Sequence, residues 1–170
     1  MLDFFNQSDK NMHEFRNIWS PLLAQAETNM PQNIPMLEKR YARFFIQEWL
    51  NLYLSAPDSG KVGLAVFAYR VDIHRYAAGM LIDSNPENRI LGIRILGYMR
   101  DESTWPILVG LLKHPDREVA VASLGALFQV NERRAREELQ TLLAGSASFH
   151  PENVRSHLLP ILGDNFNFDW

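Results

Sequence analysis

The chain has 170 residues, 46% hydrophobic and 22% charged, and 17 basic against 20 acidic residues leave a net charge of −3. This is a globular composition with enough apolar material for a core, so a disordered chain is excluded, and the acidic balance argues against a partner gripped through its phosphates. Cysteine is absent, which excludes disulfides, thiolate metal sites and Cys nucleophiles; no apolar run reaches the ~18 residues of a membrane span, and no basic-then-apolar leader opens the sequence.

Residues 1–10 read as a poorly ordered start or the lead-in to a helix. Over 11–28, Phe15, Ile18, Trp19, Leu22, Leu23 and Ala26 recur at helical spacing and make one apolar stripe. Ser20-Pro21 interrupts it: either the helix kinks there, or it restarts with Ser20 as N-cap. Two prolines break the chain over 29–35. A second helix is expected from about 36 to 56, with a stripe of Leu37, Tyr41, Phe44, Phe45, Glu48, Trp49, Leu52 and Tyr53 that is polar only at Glu48. After Ala56-Pro57 the aromatics thin out. The boundary is placed at Pro57-Asp58, with Asp58 as N-cap of the next helix. No stretch alternates with turn pairs, so no sheet is predicted.

From residue 57 onward the sequence resembles itself shifted by 31. Ile93 maps forward to Leu124, Leu96 to Leu127, Met99 to Val130, Leu108 to Leu139, Leu111 to Leu142 and Leu112 to Leu143. Backward, the same positions fall on Val62, Ala65, Ala68, Ala77, Met80 and Leu81. Each copy carries two helical stripes, read as helices of three turns, and a period of this length marks a solenoid. Asp72, Asp101 and Asn131 stand at the turn inside successive copies, where each can cap the second helix. Pro86 and Pro115 stand between copies, in the first turn of the helix that follows. A fourth copy starts after His150-Pro151 and stops; the tail with Phe166, Phe168 and Trp170 either caps the last core or marks a fragment of a longer solenoid.

The copies resemble HEAT repeats. The residues that carry the likeness are Pro86…Leu96-Gly97…Asp101…Leu111-Leu112 and Pro115…Ala126-Leu127…Asn131…Leu142-Leu143. The first copy is degenerate, with Met80-Leu81 in the Leu-Leu place and no Arg at the usual position of its first helix. Trp19-Ser20-Pro21-Leu22-Leu23, the aromatic run from Phe44 to Trp49, and Leu96-Gly97-Tyr98-Met99-Arg100-Asp101 with Trp105 also look like a bacterial group of HEAT-repeat proteins of unknown function. The resemblance implies an all-α fold, a right-handed α–α superhelix of helix pairs with an aromatic-rich helical pair ahead of it. Residues 1–56 would pack on repeats at about 57–83, 84–114, 115–145 and a partial 146–170, all in one structural domain. It implies no catalytic activity. It implies a binding scaffold in the cytoplasm, at the inner membrane face if an anchor lies outside this chain.

No catalytic constellation emerges. The histidines at 13, 74, 114, 150 and 157 include no pair three or four apart, so no metal is expected; His114 and His150 precede prolines and read as loop caps. Asp101-Glu102 and Glu137-Glu138 are neighbours that diverge on a helix. Ser59-Gly60-Lys61 lacks the context of a phosphate loop. Gly92, Gly97, Gly110 and Gly125 lie inside predicted helices, where Gly costs about 1 kcal/mol against Ala, so close helix approach is the expected reason. Arg133, Arg134 and Arg136 alternate with acids, and pairs Arg133–Glu137 and Arg134–Glu138 are expected to neutralise each other.

The periodicity also predicts an outward face for the second helices, in three rows: Asp72, Ser103, Arg134; Arg75, Pro106, Glu137; and Gly79, Gly110, Thr141. Trp105 flanks the core stripe, with His74 and Arg136 as register mates, and is either a core residue or an aromatic anchor. The expected function is a non-enzymatic scaffold, without cofactor, that binds a protein peptide or helix on the concave side through Arg75, Trp105, Arg134, Arg136 and Glu137. Nucleic acid and membrane insertion are not expected. A competing reading is a small-molecule binder or enzyme with a pocket between the N-terminal helices and the first repeat, lined by Tyr41, Trp49, Tyr53 and Tyr69. A third is an assembly element that self-associates through its C-terminal end.

Overall fold

The structure is a computed structural model that describes residues 2–145, with side chains described over 9–141. The partial fourth copy, the aromatic tail, His150 and the Leu142-Leu143 pair therefore lie outside the described side chains. Every regular element among the described residues is helical: α1 (Leu2–Ala26), α2 (Lys39–Ser55), α3 (Asp58–Arg70), α4 (Ile73–Met80), α5 (Pro86–Tyr98), a 3-10 turn (Glu102–Thr104), α6 (Trp105–Leu111), α7 (Arg117–Val130) and α8 (Glu132–Gly145). The chain divides into two compact units at Tyr76–Ala77, not at Pro57-Asp58 where the composition changes.

In the first unit, α1, α2 and α3 pack against one another. The lead-in at residues 2–10 is already helix, and α1 runs straight through Pro21. Pro21 removes one backbone bond, but Phe15 and Trp19 before it and Leu23 and Ala26 after it are all fully buried, and this shared stripe holds the helix together across the break. Ser20 is thus no N-cap; its hydroxyl is buried with no hydrogen-bond partner among the described residues. The α2 stripe meets that of α1 through aromatic rings. Trp19 stands edge-on to Phe45 at 5.4 Å, and Phe45 stacks on Phe67 of α3 at 5.9 Å. The buried Trp49 indole donates to the Leu64 carbonyl oxygen at 2.9 Å. Pro57, not Asp58, holds the N-cap position of α3, and Asp58 begins the helix.

The second unit is built on α7, which packs on α5, α6 and α8 and buries most of its length. Asn85 caps α5 through the Glu87 amide at 2.9 Å, with Pro86 in the first helical turn as expected. Asp116 caps α7 through the Glu118 amide at 2.9 Å; Pro115 stands before that cap, outside the helix. His114 does serve the loop, its Nδ1 accepting the Asp116 amide at 3.0 Å. Arg89 lies 2.7 Å from His114 Nε2 and donates to the Asp83 carbonyl oxygen at 2.6 Å, tying the turn before α5 to the turn before α7.

The end of α5 explains the Leu-Gly-Tyr-Met-Arg-Asp run. Asp101 N–H donates to the Leu96 carbonyl and Arg100 N–H to the Gly97 carbonyl, a Schellman closure with Arg100 in the left-handed region at φ 53°. Asp101 then caps the 3-10 turn through the Ser103 amide at 3.0 Å and takes the Ser103 hydroxyl at 2.6 Å. Asn131 caps α8 through the Arg134 amide at 3.2 Å. Asp72 departs from its mates: it is itself left-handed, at φ 60°, and its carboxylate faces Arg75 at 3.6 Å.

The shift of 31 is visible in burial between the second and third copies. Ile93 and Leu124, Leu96 and Leu127, Met99 and Val130, and Leu108 and Leu139 are all buried. In the first helix of the first copy it holds only at Ala68: Val62 is 65% exposed and Ala65 half-buried, and α3 buries Leu64 and Phe67, which the shift does not mark. The second helices α4 and α6 are two turns long rather than three, and at α6 the 3-10 turn takes up the residues ahead of it. Close approach does account for Gly92 and Gly97: a Cβ on Gly92 would lie 2.7 Å from the Ala77 carbonyl oxygen, and one on Gly97 would lie 2.8 Å from the Ala126 Cα. It does not account for Gly110, around which nothing stands within 4 Å.

Candidate functional site

The outward rows predicted from the period hold residue by residue. Asp72, Ser103, Arg134, Arg75, Pro106, Glu137, Gly79, Gly110 and Thr141 are all exposed. The reason is geometric for those within the helices: Arg75 and Gly79, Pro106 and Gly110, and Glu137 and Thr141 each stand two places from a buried position, on the opposite side of the helix.

Trp105 is a core residue. It opens α6, is 2% exposed, and carries the Arg134 guanidinium over its ring at 4.3 Å. That cation–π contact replaces the expected Arg134–Glu138 pair. The Trp105 indole N–H is buried without a hydrogen-bond partner among the described residues, so Trp105 cannot present itself as an exposed anchor. Its register mate His74 stacks on Tyr69 at 4.2 Å, and His74 Nδ1 is also buried and unpartnered. Arg136 does not extend this row as a free charge: it binds Glu132, one turn back, at 3.0 Å. Glu137 is exposed, and its carbonyl accepts the Thr141 hydroxyl at 3.0 Å. Of the five residues assigned to binding, the structure therefore brings Trp105 and Arg134 into contact and leaves Arg134 and Glu137 on the surface of the second unit. Arg75 belongs to the first unit, where it pairs with Asp72.

The expected aromatic pocket is not formed. Tyr41, Trp49 and Tyr53 are buried, and the rings of Trp49 and Tyr53 meet at a tilt of 32° with centroids 5.0 Å apart, while Tyr69 is 46% exposed. The Tyr41 hydroxyl donates to Glu14 at 2.7 Å, an acceptor that raises the phenol above its ordinary pKa, with desolvation acting in the same direction. The buried rings fill the space between α1, α2 and α3 because each is the inward member of a stripe. The first unit opens a cleft elsewhere, between the segment at Gln32–Leu37 and the turn from Arg70 to Tyr76. Sequence reasoning passed over it, reading 29–35 as a breaker; the signal was Ile34 and Met36, apolar residues on either side of Pro35 where a plain linker would be polar. Among the described residues, no group of three His, Cys, Asp or Glu could hold a metal ion, and no helix is long and apolar enough to cross a membrane.

No curated protein matches the chain, and no solved structure does. A family model does: the one described as HEAT repeats matches residues 77–162, just over half the chain. It starts where the second compact unit starts and covers the paired helices α5–α6 and α7–α8. With the helix pairs, the inter-repeat prolines and the buried 31-residue register all in that stretch, the chain belongs to the HEAT-repeat family.

Proposed function

We propose that the protein is a non-enzymatic scaffold that binds a peptide or helix of another protein on the outward face of α6 and α8. HEAT repeats commonly mediate protein–protein interaction, and the family is generally without catalysis. The observation that carries the reading is Arg134. It is an exposed guanidinium held 4.3 Å over the ring of a buried indole, and no carboxylate among the described residues pairs with it. Stacking on Trp105 fixes the cation's position without neutralising it, which leaves it preorganised for an acidic group on a partner. Glu137, one turn further along α8, supplies the opposite sign and so a direction to the contact. Pro106 and Gly110 on α6 keep the neighbouring surface low. The scaffold is assigned to the cytoplasm, a compartment in which a chain without cysteine is at no disadvantage.

Crosslinking in native lysate tests this, comparing the intact chain with a variant carrying Arg134→Glu and Glu137→Arg. Loss of the crosslinked partners, with unchanged helical content, is expected. Retention of the same partners at the same yield removes α6 and α8 as the binding face.

A further inference from the structure

The cleft in the first unit has the make-up of a second recognition site. Ile34, Pro35 and the 87%-exposed Met36 form one wall, and Arg70, Asp72 and Arg75 stand on the other; the open cleft has a volume of about 830 Å³. Two guanidiniums face a single carboxylate there, so the lining is net positive in a chain whose net charge is −3. Arg70 has no ion-pair or hydrogen-bond partner among the described residues. Arg75 has only Asp72, at 3.6 Å, beyond hydrogen-bond length. The segment from Gln32 to Leu37 bends at Gln32 and belongs to no helix or strand, and its amides make no backbone hydrogen bond among the described residues. Prolines 31 and 35 restrict it, and the Tyr76 hydroxyl reaches the Leu37 carbonyl oxygen at 3.5 Å. The cleft therefore brings together an unpaired guanidinium, a second one loosely paired with Asp72, apolar side chains and unpaired main-chain groups.

The geometry points to an extended segment of a partner protein as its occupant, one that sets an Asp or Glu carboxylate against Arg70 and Arg75 and an aliphatic side chain against Ile34 and Met36. Charge selects the acid, because a carboxylate completes the ion pairing that Asp72 only begins. The apolar wall selects a peptide over a phosphate. The unpaired amides select extended chain over helix, since a helix has no free main-chain groups to give. This site is independent of the face proposed on α6 and α8.

The test is a titration of the 15N-labelled full chain with a capped hexapeptide of alternating glutamate and leucine, with glutamine–leucine and lysine–leucine peptides as counterparts. The glutamate peptide is expected to shift the amides of residues 32–37 and 70–76 and the side-chain Nε of Arg70 and Arg75. The glutamine peptide should bind at least about tenfold more weakly. Arg70→Glu with Arg75→Glu should abolish glutamate-peptide binding and admit the lysine peptide; Arg70→Gln, whose amide spectrum should overlay the parent, should weaken it alone. Equal binding of the glutamate and glutamine peptides, or no binding, overturns the proposal. Shifts confined to Arg134–Glu137 overturn it too, and would support the α6–α8 face instead.

Discussion

Replacing Gly97 by alanine should destabilise the protein although alanine is the better helix former. Gly97 lies on the face of α5 that meets α7. A Cβ there would stand 2.5 Å from Gln129 Oε1, 2.8 Å from the Ala126 Cα and 2.9 Å from its Cβ. The Gln129 amide can rotate away. The Ala126 Cα cannot, because it belongs to the backbone of a helix buried along most of its length. The helices must therefore separate or slide by several tenths of an ångström, which loosens Ile93, Leu96, Leu124 and Leu127 together. Overpacking of this kind costs about 1–3 kcal/mol, and the backbone partner places it at the upper end. The gain in helix propensity offsets about 1 kcal/mol. The expected net loss is about 2 kcal/mol, read as a lower midpoint in urea at unchanged slope, or as a melting temperature about 4–8 °C lower for a chain of this size.

The same substitution at Gly110 is the internal control, since nothing lies within 4 Å of its Cβ position. It should keep only the propensity gain and raise stability by about 0.5–1 kcal/mol. If Gly97→Ala proves as stable as the parent, α5 and α7 do not approach as described, and the reasoning about the repeat seam fails with it.

Arg100→Gly should stabilise by about 0.5–1 kcal/mol in thermal melts, because Arg100 holds a left-handed φ that costs a side-chain-bearing residue about 1–2 kcal/mol, against glycine's greater freedom in the unfolded chain. Asp101→Ala should cost about 1–2 kcal/mol by removing the cap at the start of the 3-10 turn, while Asp101→Asn should retain most of the stability; equal losses for the two would refute the capping role. Tyr41 binds its proton more tightly folded than unfolded, so its contribution is complete below the ordinary tyrosine pKa and disappears as pH rises through the elevated one. Alkaline unfolding, followed by far-UV circular dichroism above pH 10, should therefore be less steep in Tyr41→Phe than in the parent.

The second and third copies were legible because their first helices bury the same face. Ile93 and Leu124, and Leu96 and Leu127, keep their register, and the turn between helices is fixed by residues whose local chemistry is strong: Asn85, Asp101, Asp116 and Asn131 all cap as side chains of their type do. The rows of exposed residues followed from the same register. Trp105 was ambiguous because helical spacing gives its angle but not its cover. That cover is Arg134, from α8, and one long side chain on a neighbouring helix decides whether a flanking tryptophan is surface or core.

The first copy failed for a different reason. Helix α3 has two apolar stripes: Leu64, Phe67, Ala68 and then Val71 on one side, and Val62, Val66 and Tyr69 on the other. Either satisfies helical periodicity. The 31-residue shift picked Val62, Ala65 and Ala68, a line that crosses both stripes, and of these Ala68 is buried, Ala65 half-buried and Val62 exposed. The structure buries the first stripe. Phe67 stacks on Phe45, and the Leu64 carbonyl takes the Trp49 indole proton, so the choice of face is made by the aromatic helices of the first unit rather than by the repeat. A carbon on Gly63 would collide with the Ala26 carbonyl oxygen, which shows how closely α3 is drawn onto α1. The turn residues Asp72 and Asp101 stand 29 residues apart, while the buried second-helix positions Ala77 and Leu108, and Leu81 and Leu112, keep the shift of 31. The degenerate copy is thus a helix recruited to another core, and the family match accordingly begins at Ala77, past the last residue that core claims.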